Sequence, residues 1–304
     1  MNVEKMFTAI DTHVAGEVFR IILHSPLQFH TQDIASKQSV LEQHYGQEKA
    51  LLFNEPRGHR GVNGCIVTPS NKADYGVLFV NHNNENRFSY SGLIATLTVL
   101  LETGNIAEKD NGLYKVETVN GIYTVYASYH NQVVEETEVK SGDCRLIEST
   151  NEEFQLVEVD SSRRYAIYPL PESIPAIDMT YLSSIMNWGK QITIEMAKNS
   201  LDGVILKMST ISSGEIRSVT FEKDGAILRS PGVDSTFALC TALAEKKEQP
   251  SKLINHSIFG SQLTAVQEEK SGQRYAMAAQ AFITGEHQFL YDPDDPLERG
   301  FLLK

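Results

Sequence analysis

Two short runs of small and polar residues stand directly ahead of apolar segments, where a helix end could do chemistry. The first, after Arg87-Phe88, is Ser89-Tyr90-Ser91-Gly92; the second, after Arg229-Ser230-Pro231, is Gly232-Val233-Asp234-Ser235. A helix N-terminus presents free backbone N–H groups and partial positive charge, so it binds a carboxylate without a cationic side chain. Two such termini facing each other across a domain interface would hold the carboxylate of an amino acid between them. They would also lower the pKa of any thiol placed there. Plain helix capping is the competing explanation for Ser91, Asp234 and Ser235, since small polar residues are the usual N-caps.

The segments behind these runs read as helices in a strand-rich chain. Gly92 to Glu102 is an apolar helix closed by Gly104, and Ser235 to Glu248 is a second, ending in charges before Pro250. Tyr181 to Lys198 reads as a third, more ordinary helix. Tyr114 to His130 predicts a hairpin around Asn120-Gly121, and Ile216 to Leu228 another around Asp224-Gly225. Between Asn131 and Asn151 the chain turns polar and acidic without clear periodicity, which suggests a boundary between halves. A shift of 143 residues lays Ala95 on Ala238, Thr98 on Thr241, Leu100 on Leu243 and Glu102 on Glu245. The shift is close to half the chain, so a duplicated half with strands wrapped around one buried helix is expected. The expected halves are residues 1–135 with 286–304, and 145–285.

Composition limits the partners. The chain has 304 residues, 41% hydrophobic and 22% charged, as a globular protein does, and a formal charge of −12. Such a surface repels nucleic acid and anionic membranes, so neither is expected as a partner. No run of about 18 apolar residues is present, and the N-terminus lacks the pattern of a signal peptide. Three scattered cysteines, Cys65, Cys144 and Cys240, fit a reducing cytoplasm better than a disulfide framework or a zinc site.

Further blocks occur in order along the chain: Asp11-Thr12-His13-Val14-Ala15-Gly16-Glu17, Glu55 to His59, Leu100 to Gly104, Asp224 to Pro231, Ser257 to Ser261, and Thr284 to Phe301. Together they resemble the proline racemase superfamily, which includes hydroxyproline epimerases and trans-3-hydroxyproline dehydratases. The resemblance implies an α/β fold of two similar halves of the diaminopimelate epimerase type. Each half would be a curved, barrel-like sheet around a central helix, with the active site in the cleft between. It implies a cofactor-free reaction on a small imino acid. Two thiols, one per half, would act on opposite faces of the α-carbon. Relatives are often dimers, so a homodimer fits the resemblance as well.

Both thiol positions are altered here. Ungapped alignment on Leu-Glu-Thr-Gly puts Ser89 at the first, followed by Tyr90-Ser91-Gly92 where the family has Gly-His-Gly. Alignment on Arg-Ser-Pro puts Gly232 at the second, followed by Val233-Asp234-Ser235 where it has Gly-Thr-Gly. The aspartate that meets the substrate nitrogen in relatives is replaced by Leu228. A serine hydroxyl is a far weaker acid than a thiol and needs an activating neighbour, and glycine supplies no acid at all. Asp234 brings a negative charge to the carboxylate cradle. Cys65 and Cys240 read as core residues rather than as replacements.

Three functions stay open. One-base dehydration of a 3-hydroxyproline would use Ser89, activated by Asp234 or by His13, His59 or His82. An epimerase would need Asp234 as the second acid. A non-catalytic binding or regulatory protein would keep only the scaffold. Phosphate loops and clustered metal ligands are missing from the sequence, and Asp292-Pro-Asp-Asp-Pro reads as a structural turn.

Overall fold

Strand-forming, β-branched stretches dominate both halves of the chain, and each half wraps them around one apolar helix. The computed structural model describes residues 2–82, 88–150, 154–208, 214–245, 251–268 and 273–303. Arg87, Asn151 and the expected end of the second apolar helix at 246–248 lie outside the described residues. The first elements are β1 (Lys5–Val14), β2 (Glu17–His24), α1 (Ile34–His44), α2 (Gly46–Phe53), β3 (Val62–Thr68) and β4 (Tyr75–Val80). Next come α3 (Tyr90–Glu102), β5 (Leu113–Thr118), β6 (Gly121–His130) and β7 (Val133–Lys140). Then follow β8 (Arg145–Ser149), β9 (Gln155–Val159), β10 (Arg163–Pro169), α4 (Leu182–Met196), β11 (Gly203–Lys207) and β12 (Glu215–Glu222). The last are α5 (Val233–Glu245), β13 (Lys252–His256), β14 (Gln262–Gln267), β15 (Tyr275–Ala279) and β16 (Ala281–Tyr291).

The chain divides into two compact units, residues 1–138 with 280–304, and 139–279. In the first, strands pair in the order β16-β1-β2-β3-β4-β5-β6-β7. The senses are antiparallel, antiparallel, parallel, antiparallel, parallel, antiparallel, antiparallel. In the second, β8-β9-β10-β11-β12-β13-β14-β15 repeats the same succession of senses. The helices α3 and α5 follow the equivalent strands β4 and β12. They have the same length and stand 143 residues apart at both ends (233 − 90 and 245 − 102). Such agreement in pairing sense, helix position and spacing is what a duplicated half produces.

Strand alternation explains why each sheet carries two layers of helix. On β3, Gly64 abuts Phe53 of α2, and Val62 and Ile66 join the same cluster, whereas the intervening Cys65 turns toward α3. On β12, Val219 and Phe221 face α4, while the Thr220 hydroxyl between them reaches α5. Residues Tyr90 to Leu101 of α3 are all buried, as expected of a helix apolar on every side. At α4, Gly189 lets the helix press against the Phe221 ring.

The structure corrects several local expectations. The Asn120-Gly121 hairpin forms with a two-residue loop, closed by Thr118 opposite Gly121. The Asp224-Gly225 hairpin has only one full arm. Its return is a single bridge from Phe221 to Ile227, because the chain must leave the sheet at once to enter α5. The polar stretch from 131 to 150 carries the strands β7 and β8, whose exposed faces hide the alternation. The helices α1 and α2 went unread. The Asp33 side chain accepting the Ser36 N–H at 2.8 Å is the capping signal that marks the first.

Three of the sequence blocks, at residues 11–17, 55–59 and 284–301, serve as fasteners of the first unit. Ala15 and Gly16, at φ 49° and 97°, make the tight turn between β1 and β2. Asp11 accepts Nε and Nη2 of the buried Arg20 at 2.8 Å each, and Arg20 Nη1 reaches the backbone carbonyls of Leu52 and Arg57. Glu55 and Phe301 exchange backbone hydrogen bonds at 2.9 Å. Arg57 is ion-paired with Asp295 and donates to the Leu297 carbonyl at 3.0 Å. Among the described residues no helix is long and apolar enough to cross a membrane.

Candidate functional site

The candidate residues fall into two sets, one at the start of α3 in the first unit and one at the start of α5 in the second. Because α3 begins at Tyr90, the cap is Ser89 rather than Ser91. Its backbone is extended, and its hydroxyl oxygen accepts the Gly92 N–H at 3.1 Å. Ser89 is half-buried; Tyr90 and Ser91 in the first turn are buried. Gly92 is needed for close approach. A Cβ there would lie 2.8 Å from the Phe79 ring and 3.1 Å from Cys65 Sγ. Phe88 stacks on Tyr123 at 4.4 Å and meets Phe79 and Tyr90 edge-on, so aromatic rings flank Ser89 on both sides in sequence. The sequence reading missed this cluster, since Tyr123 comes from the β5–β6 hairpin.

None of the histidines considered as activators is hydrogen-bonded to Ser89 among the described residues. His13 stacks on Phe282 at 5.4 Å, and His59 Nδ1 accepts the Gly61 N–H at 3.1 Å.

In the second unit α5 begins at Val233, so Asp234 and Ser235 belong to its first turn and Gly232 precedes it. This corrects the expectation that Asp234 or Ser235 is the cap. Gly232 has φ +76°, a conformation that favours glycine. A Cβ at 232 would lie 2.8 Å from Leu228 Cδ2 and 2.9 Å from Ser235 Oγ. Leu228 thus fills the space that a side chain at 232 would need. Ser235 is buried and its Oγ is 2.8 Å from the Thr220 hydroxyl, so its side chain is committed to the core. Val233 is buried as well. The loop ahead of the helix is tied down. Ser230 Oγ accepts the Gly232 N–H at 3.0 Å, and Asn255, fully buried, reaches Thr236 Oγ1 at 3.0 Å.

Asp234 is half-buried and paired. Its Oδ1 lies 2.7 Å from both Nε and Nη2 of Arg163, whose Nη2 also reaches Asp160 Oδ2 at 2.8 Å. Nothing in local sequence signals this, because 71 residues separate the partners. A carboxylate held on a guanidinium serves as an ion-pair partner first, and its use as a proton donor is correspondingly poor.

The cysteines stay out of both sets as nucleophiles. Burial pushes the Cys65 thiol up to about 12 and the Cys144 thiol up to about 11, and it raises that of Cys240 as well. Among the described residues no group of three or more His, Cys, Asp or Glu side chains could hold a metal ion. The Asp292 carboxylate accepts the backbone N–H groups of Asn2 and Asp294, and that of Asp295 accepts the Leu297 N–H and pairs with Arg57.

Known proteins share this plan. Residues 9–154 and 178–302 match the model of the family described as proline racemase. A trans-3-hydroxy-L-proline dehydratase of Bacillus thuringiensis subsp. konkukian is 32% identical, with all of both chains covered. A proline racemase of Acetoanaerobium sticklandii is 25% identical over 99% of each chain. A hydroxyproline epimerase of Agrobacterium vitis, solved with bound trans-4-hydroxy-L-proline, is 20% identical and has a TM-score of 0.86. That match covers 100% of this chain and 96% of the other. A fold of two like halves, the ordered blocks from Asp11 to Phe301 and these matches lead to one conclusion: the chain belongs to the proline racemase family.

Proposed function

We propose that this protein acts at the α-carbon of a proline-like or hydroxyproline-like substrate by a one-base reaction, with dehydration of a 3-hydroxyproline preferred over racemisation. The observation that carries this reading is the backbone at Gly232. Inversion at the α-carbon needs an acid–base group on each face, and this position holds none. Its φ of +76° also disfavours a side chain there, and one would have to displace Leu228. Elimination needs only one such group. As the group's oxygen takes the α-proton, its own hydroxyl proton passes to the departing 3-hydroxyl. The C–H electrons form the C2–C3 double bond, the C3–O bond breaks, and water leaves with the group back in its starting protonation state. Ser89 is the candidate base. Charge developing on its oxygen would be favoured by the Gly92 N–H and by the α3 N-terminus. Similarity to relatives named as trans-3-hydroxy-L-proline dehydratases supports the same choice.

The pairing of Asp234 with Arg163 speaks against an epimerase that uses Asp234 as the second acid. It equally favours a second reading, a binding protein that has kept the scaffold, since Ser89 then serves only as a cap. One experiment separates them. Proline, trans-3-hydroxy-L-proline and trans-4-hydroxy-L-proline are incubated with the protein in D2O and followed by proton NMR. Dehydration removes the 3-hydroxyproline signals and leaves the configuration of proline unchanged. Inversion of proline or 4-hydroxyproline would overturn the one-base reading, and no exchange with any of the three would leave the binding reading.

A further inference from the structure

The turn between β9 and β10 delivers a cation to the first turn of α5. Asp160 and Ser161 both have φ +54°, and the Ser162 N–H closes the turn on the Val159 carbonyl. Arg163 follows with its side chain 6% exposed, between Asp160 at 7% and Asp234 at 15%. Asp160 is held from its other oxygen by the Gly142 N–H at 2.5 Å. A guanidinium at the positive end of a helix is unfavourable in isolation. Here two carboxylates surround it, and one of them, Asp234, belongs to the helix itself. Under the 143-residue shift position 234 corresponds to Ser91, so the first unit has no carboxylate at this place.

We propose that Arg163 is a positioning residue that sets the charge preference of the α5 N-terminus. By binding the Asp234 carboxylate it cancels the charge that would repel a ligand carboxylate, and the helix end stays open to an imino acid. The inference rests on taking this helix end as part of the substrate site. Without Arg163, Asp234 is a partly desolvated anion beside the place where the ligand's own anion must sit. Without Asp234, the helix end loses one negative charge while Arg163 stays paired with Asp160.

The test uses the full chain labelled with 15N, reading the amide signals of Val233 to Thr236. Two probes are titrated, trans-3-hydroxy-L-proline and its carboxamide, which differ only in the carboxylate. Arg163→Met is expected to weaken the acid about tenfold or more and leave the carboxamide within about twofold. Asp234→Asn is expected to tighten the acid relative to the carboxamide, and Arg163→Met/Asp234→Asn to return the ratio close to that of the unaltered protein. Equal losses for both probes, or an acid-to-carboxamide ratio that does not move, would overturn the proposal. If Arg163→Met fails to fold, the ratio in Asp234→Asn decides alone. If neither probe shifts these amides in the unaltered protein, the helix end takes no carboxylate and the proposal falls. Binding of the acid without turnover in D2O sinks only the catalytic reading.

Discussion

Positions 228 and 232 show how two neighbouring departures from the family pattern depend on each other. Glycine at 232 removes a side chain, and leucine at 228 fills the space left. Replacing Gly232 by Cys therefore strains a backbone at φ +76° and collides with Leu228, at a cost of about 1–3 kcal/mol. We expect Ser89→Cys/Gly232→Cys to lack proline racemase activity by polarimetry. Thermal melts should show Gly232→Cys to be less harmful in a Leu228→Ala background. Ser89→Cys alone should keep or raise α-proton exchange, because a thiol at a helix N-terminus ionises more readily than a hydroxyl; exchange lost in that variant would count against Ser89 as the base. The buried thiols give a further test. Burial lifts Cys65 to about 12 and Cys144 to about 11 from an ordinary 9.0, so both remain protonated at pH 8. A thiol-specific disulfide reagent should find no reactive cysteine in the native protein and all three after unfolding. The sign of the linkage follows. A raised folded-state pKa stabilises the native state below about pH 9, and this stabilisation is lost as pH rises toward 12.

The helices α3 and α5 show the same element serving different ends. Both have 13 residues and are buried, but Ser89 caps α3 by its side chain, whereas a glycine precedes α5 and the charged Asp234 sits in its first turn. Ser89→Ala should cost about 1 kcal/mol through the lost cap and abolish turnover, whereas Ser89→Thr should restore the stability. Denaturant titration with the D2O assay separates the two effects. On the outer layer, Gly189 of α4 has no room for a methyl group, since a Cβ would stand 2.0 Å from the Phe221 ring. Gly189→Ala should destabilise by about 1–3 kcal/mol despite the better helix propensity of alanine. A stability gain would show that the α4 layer yields more readily than close packing allows.

Over the whole molecule, three of the blocks shared with the family, at residues 11–17, 55–59 and 284–301, fasten the first unit. The Asp11–Arg20 pair joins β1 to β2, and Arg57 binds Asp295 and the Leu297 carbonyl near the C-terminus. Arg57→Ala should lower stability by about 1–2 kcal/mol, read as a lower thermal midpoint, without changing the choice of substrate. A change of substrate preference in that variant would mean that these blocks do more than hold the first unit together.

Both apolar helices and the 143-residue repeat were legible in the residues themselves, and the family resemblance added the fold class and the positions aligned with the family thiols. Helix capping, turn chemistry and periodicity are local, so a single chain displays them openly. Ser89 and Gly232 were marked instead by the family resemblance, through alignment on Leu-Glu-Thr-Gly and Arg-Ser-Pro, while capping alone pointed to Ser91, Asp234 and Ser235. Three facts stayed hidden because they join residues distant in sequence: the Arg163–Asp234–Asp160 cluster, the Tyr123–Phe88 stack beside Ser89, and the commitment of Ser235 to Thr220. The strands β7 and β8 escaped notice because their faces are largely exposed and lack apolar alternation. Sequence showed that Asp234 brings a charge to the start of the second apolar helix. What that charge does depends on the turn that carries Arg163 to it, and only folding creates that neighbour.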